Sequence, residues 1–317
     1  MMAFRRWLGS RENTLLLSLA VFVLVVAYFA PRFVLRENLA LILLAAAPLG
    51  IVAIAETIVI LSGGIDISVG AILAISASLI GATIQAGMPA PLSIALGLVA
   101  GAFLGLINGS LVAFLRLPPI IVTLATLFIF RGGIDVVMEG TTFPQPTEQL
   151  SLLVSGSVGG VHMQVIVVLI TAMAAALFLG HTRWGRMIYA VGDNASAAEI
   201  SGVKLTRVRL LVYVASGFLS AIAGLVHATR SPIINRTAGF GVEFIAIGAV
   251  VVGGTNLFGG SGTIRGTVTG VVLIYAIHNA MVIAHIPTEW QDAATGGLIL
   301  VAVGVNVLWR RTANDDG

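Results

Sequence analysis

The chain reads as an all-α, polytopic membrane protein of about ten transmembrane helices. Two observations carry that reading. The 317 residues are 58% hydrophobic and only 10% charged, with a mean hydropathy of +1.04. Runs of about 20 apolar residues, the length that crosses a bilayer, follow one another along nearly the whole chain. They leave no room for a separate soluble enzymatic domain, so residues 1–317 form one transmembrane domain. The absence of cysteine excludes disulfides, thiolate metal sites and cysteine catalysis. No metal or cofactor is expected. The net charge of +3 comes from arginines that flank apolar runs, not from a nucleic-acid-binding face.

The spans fall at about 14–30, 39–61, 70–87, 91–115, 119–138, 163–180, 209–228, 243–253, 264–284 and 294–309. The first lacks a small-residue cleavage site and reads as an uncleaved helix. The eighth is short and either crosses or is re-entrant. The even count puts both termini on one side, and basic residues choose the side. With the N-terminus inside, 12 of the 17 Lys and Arg face inward: Arg5, Arg6, Arg11, Arg116, Arg183, Arg186, Lys204, Arg207, Arg209, Arg265, Arg310 and Arg311. Segments 1–13, 181–209 and 310–317 are then cytosolic.

The second span carries Glu56. An acid at mid-membrane costs on the order of 2.5–3.5 kcal/mol on insertion scales, which the surrounding Leu, Ile and Val offset. Glu56 must face the protein interior or a wet cavity. A pathway role is the preferred reading; a protonated acid bonded to a neighbouring helix is the alternative. The span ends in Ser62-Gly63-Gly64-Ile65-Asp66-Ile67-Ser68. The glycines allow a tight turn, and Asp66 or Ser68 can cap the next helix. A cap and a place on a pathway are both open for Asp66.

In the fourth span Gly97, Gly101, Gly105 and Gly109 give one smooth face for close helix packing. Asn108 beside them reads as an interhelical hydrogen bond before a ligand. In the fifth span Thr123 and Thr126 add polarity, and Arg131 and Asp135, four apart, are expected to pair. The outer segment 139–161 meets a partner or simply connects.

The loop 181–209 holds Ser196 and Glu199 at capping-box spacing and Gly202 as a stop. The helix between them has about two turns and is too short to stand alone. It reads as a docking element. A second glycine-rich break, Gly253-Gly254 to Gly259-Gly260-Ser261-Gly262, follows the eighth span. Gly262, Gly266 and Gly270 repeat the small-residue spacing into the ninth. Both breaks fall on the inner side in this topology. Interrupted helices in both halves of a membrane protein point to a transport path.

Three ordered stretches carry a resemblance that covers nearly the whole chain. They are Val59-Ile60 with Gly63-Gly64-Ile65-Asp66-Ile67-Ser68-Val69-Gly70; Ala190-Val191-Gly192-Asp193-Asn194 with Ala197-Ala198 and Ser201-Gly202-Val203; and Gly253-Gly254-Thr255 with Gly259-Gly260 and Gly262-Thr263. Together they resemble the membrane permease subunits of bacterial ABC importers for monosaccharides, the ribose/xylose/arabinose type. The family commonly carries Leu where Ile67 stands and usually an apolar residue or Gln where Glu56 stands. Glu56 is therefore expected to tune substrate choice.

The resemblance implies an inner-membrane permease without hydrolytic chemistry of its own. It implies a second permease chain, a cytosolic ABC ATPase subunit and a periplasmic or lipid-anchored sugar-binding protein as partners. Asp193, Asn194, Ala197, Ala198, Glu199, Ser201, Gly202 and Lys204 then belong to an ATPase-coupling helix. Glu56, Ser62, Gly63, Gly64, Asp66, Asn108 and Thr126 belong to the substrate pathway, with Gly253, Gly254, Gly259 and Gly260 as hinges. Two other readings compete. A stand-alone secondary transporter would use Glu56 as an ion or proton site. An intramembrane serine protease would use Ser261 with His278 or His285, which the topology holds too far from Ser261 for a hydrogen bond.

Overall fold

A computed structural model describes residues 11–138, 141–146, 148–287, 289–291, 293–298, 300 and 304. The expected cytosolic residues 1–10 and 310–317, and most of the tenth span, lie outside them. The described chain is mostly helical. In order it runs α1 (Arg11–Phe29), a 3-10 turn (Pro31–Val34), α2 (Arg36–Leu61), α3 (Val69–Gln85), α4 (Ala90–Ala113) and α5 (Pro119–Met138). After β1 (Phe143–Pro144), α6 (Ser151–Ser155), β2 (Ser157–Val158) and β3 (Val161–His162) come α7 (Met163–His181), α8 (Arg183–Asp193) and α9 (Ala195–Ile200). The chain continues with α10 (Leu205–Ala228), β4 (Ile233–Ile234), α11 (Val242–Val252) and α12 (Ile264–Ile283).

Six of these helices, α2, α4, α5, α7, α10 and α12, are long and apolar enough to cross a membrane. The spans expected at 14–30, 70–87 and 243–253 are shorter apolar helices. The 11 residues of α11 rise only about 16 Å, roughly half a hydrocarbon core.

Burial is arranged for lipid. The second half of α2, from Ala46 to Leu61, is buried on every face. A helix that is apolar all round belongs in the middle of a bundle, and α2 is ringed by α7, α10, α11 and α12. The outer helices present large apolar residues instead, among them Phe103 on α4, Phe128 on α5 and Ile170 on α7. Hydroxyls point inward: Thr57, Ser76, Ser216, Ser220 and Thr267 are all buried. Bare apolar faces outside, with these hydroxyls turned into a mainly apolar core, suit a hydrocarbon surrounding.

The glycine face of α4 docks on α10. A Cβ on Gly105 would lie 2.2 Å from the Tyr213 carbonyl oxygen, and one on Gly101 would lie 2.6 Å from that of Gly217. Only hydrogen on these carbons lets the two backbones touch. At one end of the bundle, β1 and β4 pair antiparallel, Phe143 opposite Ile234, and tie the 141–162 segment to the 229–241 segment.

Arg131 and Asp135 do not pair as their spacing suggests. The Arg131 guanidinium donates to the Ala238 and Gly239 carbonyls at 2.7 and 2.8 Å. Asp135, one turn on, meets Arg236 at 3.6 Å on the exposed surface. The loop 229–241 folds over this face and offers Arg131 two fixed acceptors that suit its planar fork. A flexible carboxylate on its own helix competes poorly with them.

Candidate functional site

The break after α2 is a Schellman turn. Gly63 N–H donates to Ile60 O at 2.9 Å and Gly64 N–H to Val59 O at 3.1 Å. Gly63 holds φ +82°, which glycine adopts freely. Ser62, nearly buried, bonds back to Val59 O at 2.8 Å. The chain then enters a buried polar knot. Asp66 Oδ1 accepts from Ser68 N–H at 3.0 Å and from Ser68 O–H at 2.6 Å. Its Oδ2 accepts from Ser216 O–H of α10 at 2.8 Å. Asn108 of α4 donates to Ser68 Oγ at 2.7 Å, and Glu56 Oε1 accepts from Asp66 N–H at 3.1 Å.

The Ile65 carbonyl accepts from Thr123 of α5 and Tyr213 of α10. Thr126, also buried, bonds to Thr123 O at 3.2 Å. Five helices therefore meet at one turn. Glu56, Asp66, Ser68, Asn108 and Ser216 are all at 0% exposure. Two oxygens in the knot, Glu56 Oε2 and Asn108 Oδ1, have no hydrogen-bond partner among the described residues. The expectation that Glu56 faces the interior, and that Asn108 bonds across helices, agrees with this geometry. Asp66 binds Ser68 in a local Asx turn, although no side-chain cap bond closes the start of α3.

The second break repeats the first in outline. Gly254, at φ +88°, donates to Val251 O and Thr255 N–H to Val250 O, again a Schellman turn. Asn256 then forms the Asx turn, its Oδ1 accepting from Phe258 N–H at 3.3 Å and its amide donating to Gly259 O at 2.8 Å. The close spacing of Gly266 and Gly270 seats α12 on the end of α11, where their Cβ atoms would lie 2.1 Å from Gly253 O and 2.2 Å from Ala249 O.

The breaks also touch each other. A Cβ on Gly259 would lie 3.0 Å from the Gly63 nitrogen, and Gly260 N–H donates to Leu61 O at 3.1 Å. They thus sit at the same end of the bundle, as their sequence positions implied.

The loop between α7 and α10 is more ordered than its sequence suggested. An 11-residue helix, α8, comes first. Trp184, Met187, Ile188 and Val191 recur at one helical face, the signal that would have revealed it. Ile188 and Val191 are buried against the bundle, while Arg183 and Arg186 are exposed. Thr182 caps α8, accepting from Gly185 N–H at 3.0 Å. The six-residue α9 follows after a bend. Its cap is Asn194, whose Oδ1 accepts from Ala197 N–H at 3.0 Å, and not Ser196. Once α8 ends at Asp193, Asn194 is the residue with extended backbone between two helices, so the helix starts before Ser196 can cap it.

The stop at Gly202 is as expected. Its N–H donates to Glu199 O, Val203 N–H donates to Ala198 O, and φ is +88°. Ala198 is buried; Asp193, Asn194, Ala197, Glu199, Ser201, Gly202 and Lys204 are exposed. Ile200, which the sequence did not single out, stands 89% exposed. A groove of about 550 Å³ runs beside α9, lined by Phe114, Glu199, Lys204, Arg207 and Leu210.

Among the described residues no hydrogen bond joins Ser261 to a histidine, and His278, well along α12, is bonded to Thr295 Oγ1 at 2.7 Å. Among the described residues no group of His, Asp or Glu could hold a metal ion.

Broken helices, a buried polar turn and a short helix hung from the same end define a multi-pass membrane transport protein. Comparison with known proteins bears this out. The chain belongs to the family described as branched-chain amino acid transport system / permease component, whose model matches residues 38–303. It is 38% identical over 289 residues to the ribose import permease protein RbsC of Bacillus subtilis, covering 90% of each chain. It is 33% identical over 306 residues to RbsC of Escherichia coli K12, covering 95% of each. The autoinducer 2 import system permease protein LsrC of Yersinia enterocolitica is 34% identical over 302 residues, 94% of this chain and 82% of that one. No solved structure matches. The chain is thus a permease, as the ordered glycine stretches led us to expect, and nothing in these relatives favours the carrier or protease readings.

Proposed function

We propose that the chain is the membrane-spanning subunit of an ATP-driven importer that moves a small neutral monosaccharide across the inner membrane by alternating access. It pairs with a second permease chain. A cytosolic ABC ATPase subunit supplies the hydrolysis, and a periplasmic or lipid-anchored binding protein delivers the sugar. Both termini are cytosolic. One observation carries the reading: an exposed α9, capped at both ends, sits at the end of the bundle where both broken helices meet. A helix of 6 residues is not stable alone, so its two-ended capping makes sense as a knob held out for a partner. The exposed Ile200 gives that knob an apolar tip, and the neighbouring groove gives it a basic flank.

The named relatives support the solute class, since they import ribose and autoinducer 2. Glu56, Ser62, Gly63, Gly64, Asp66, Asn108 and Thr126 line the proposed path. The Glu56 and Asn108 oxygens that have no hydrogen-bond partner among the described residues match a solute rich in hydroxyl donors, because a buried acceptor left alone costs about 1–3 kcal/mol. Gly253, Gly254, Gly259 and Gly260 serve as hinges.

The test is uptake into vesicles containing the permease with and without its ATPase subunits. The proposal expects uptake only with the ATPase and ATP, and loss of uptake in an Ile200→Asp variant that still inserts. Solute movement by the permease alone would end it.

A further inference from the structure

Three backbones meet without side chains between them at the end of α8. A Cβ on Gly192 would lie 1.9 Å from Leu61 O and 2.7 Å from the Gly260 nitrogen. A Cβ on Gly259 would lie 2.8 Å from Gly192 O, and one on Gly260 would lie 2.7 Å from Asp193 Cα. Gly63 faces the Gly192 Cα at 3.7 Å by the same measure. Two hydrogen bonds lock the contact: Gly260 N–H to Leu61 O at 3.1 Å, and Tyr189 O–H to Gly262 O at 2.9 Å.

A Cβ added at these glycines would strike backbone, a clash that no rotamer change relieves, so the close approach of the three segments needs glycine at each place and the two hydrogen bonds hold them together. The residue that follows, Asp193, opens the exposed α9 loop. We infer that Gly192 and Tyr189 are positioning residues for transport: they clamp both glycine breaks to α8, so that a displacement of the 193–204 loop moves the two broken helices as one body. This rests on the docking of an ATPase at that loop. It adds to that reading which residues carry the motion inward, and that both breaks receive it together. Gly192 and Tyr189 stand behind the exposed docking face; their work is mechanical.

Two variants of the full chain separate the ideas. Gly192→Ala forces the three backbones apart, and Tyr189→Phe removes one hydrogen bond without adding bulk. Each is purified with its ATPase subunits and reconstituted with the binding protein. Co-purification reads the docking. The ratio of solute imported to ATP hydrolysed reads the clamp. We expect normal co-purification and a ratio lowered about tenfold in Gly192→Ala, within the range of coupling mutations, with a smaller fall in Tyr189→Phe. An unchanged ratio in both overturns the proposal.

Hydrogen exchange on the permease alone decides the matter even where Gly192→Ala does not fold or the wild type binds no ATPase. Tyr189→Phe should speed exchange at 61–64 and 253–262 together. Faster exchange confined to 260–262, or none, also overturns it.

Discussion

Asp66 and Ser216 stand 150 residues apart in sequence and are joined by a hydrogen bond of 2.8 Å. That bond fixes the break after α2 to the middle of α10. The same carboxylate holds Ser68, which in turn holds Asn108 on α4. Replacing Asp66 with Ala leaves two hydroxyls and a backbone N–H without their acceptor in a fully buried place. Each orphaned group costs about 1–3 kcal/mol. We expect a large drop in thermal unfolding temperature in detergent for Asp66→Ala and a much smaller one for Asp66→Asn, which keeps an acceptor oxygen. Equal loss in the two would show that charge, not bonding, matters there.

Gly105 touches the Tyr213 carbonyl so closely that a methyl group must push α4 off α10. Overpacking of this kind costs about 1–3 kcal/mol. Gly105→Ala should lower the unfolding temperature. Gly132→Ala, on α5 where nothing lies within 4 Å, should leave it level or raise it slightly, since Ala is favoured over Gly in helices by about 1 kcal/mol. A similar response from both would argue against the glycine-seamed contact.

The Asn194 cap is expected to hold α9 in shape. Asn194→Ala removes the acceptor for Ala197 N–H and should cost about 1 kcal/mol of local stability. Amide exchange at 195–200 should quicken, and ATPase co-purification should weaken. Asn194→Asp or Asn194→Ser should restore both. Failure of those two to rescue would mean that the amide contacts a partner directly.

Arg131 ties α5 to the 229–241 loop through two carbonyls. Arg131→Lys replaces a fork with a point charge and keeps the sign. Protease cleavage within 235–241 should become faster in Arg131→Lys and faster still in Arg131→Ala. No change in either would show that the loop is held by β1 and β4 alone.

Much of this molecule is written locally. The apolar runs dictate membrane helices because a continuous apolar segment of about 20 residues satisfies its own backbone polar groups in hydrocarbon as a helix. Gly63, Gly202 and Gly254 mark helix ends because their turns need positive φ, which glycine adopts without steric cost. The glycine face of α4 is visible at a spacing of four because helix geometry sets it. The amphipathic α8 was also there to be read, in Trp184, Met187, Ile188 and Val191.

What the sequence could not supply is which distant groups meet. Arg131 has a carboxylate one turn away and ignores it, because a loop more than a hundred residues later presents two carbonyls in better geometry. Ser196 carries the right spacing for a cap, yet α8 ends where Asn194 must take that place. The meeting of Gly63, Gly192 and Gly259 depends on how the helices pack, and no local pattern records it. Short-range geometry is fixed by the chemistry of neighbouring residues; long-range contact is chosen by the close packing of the whole bundle.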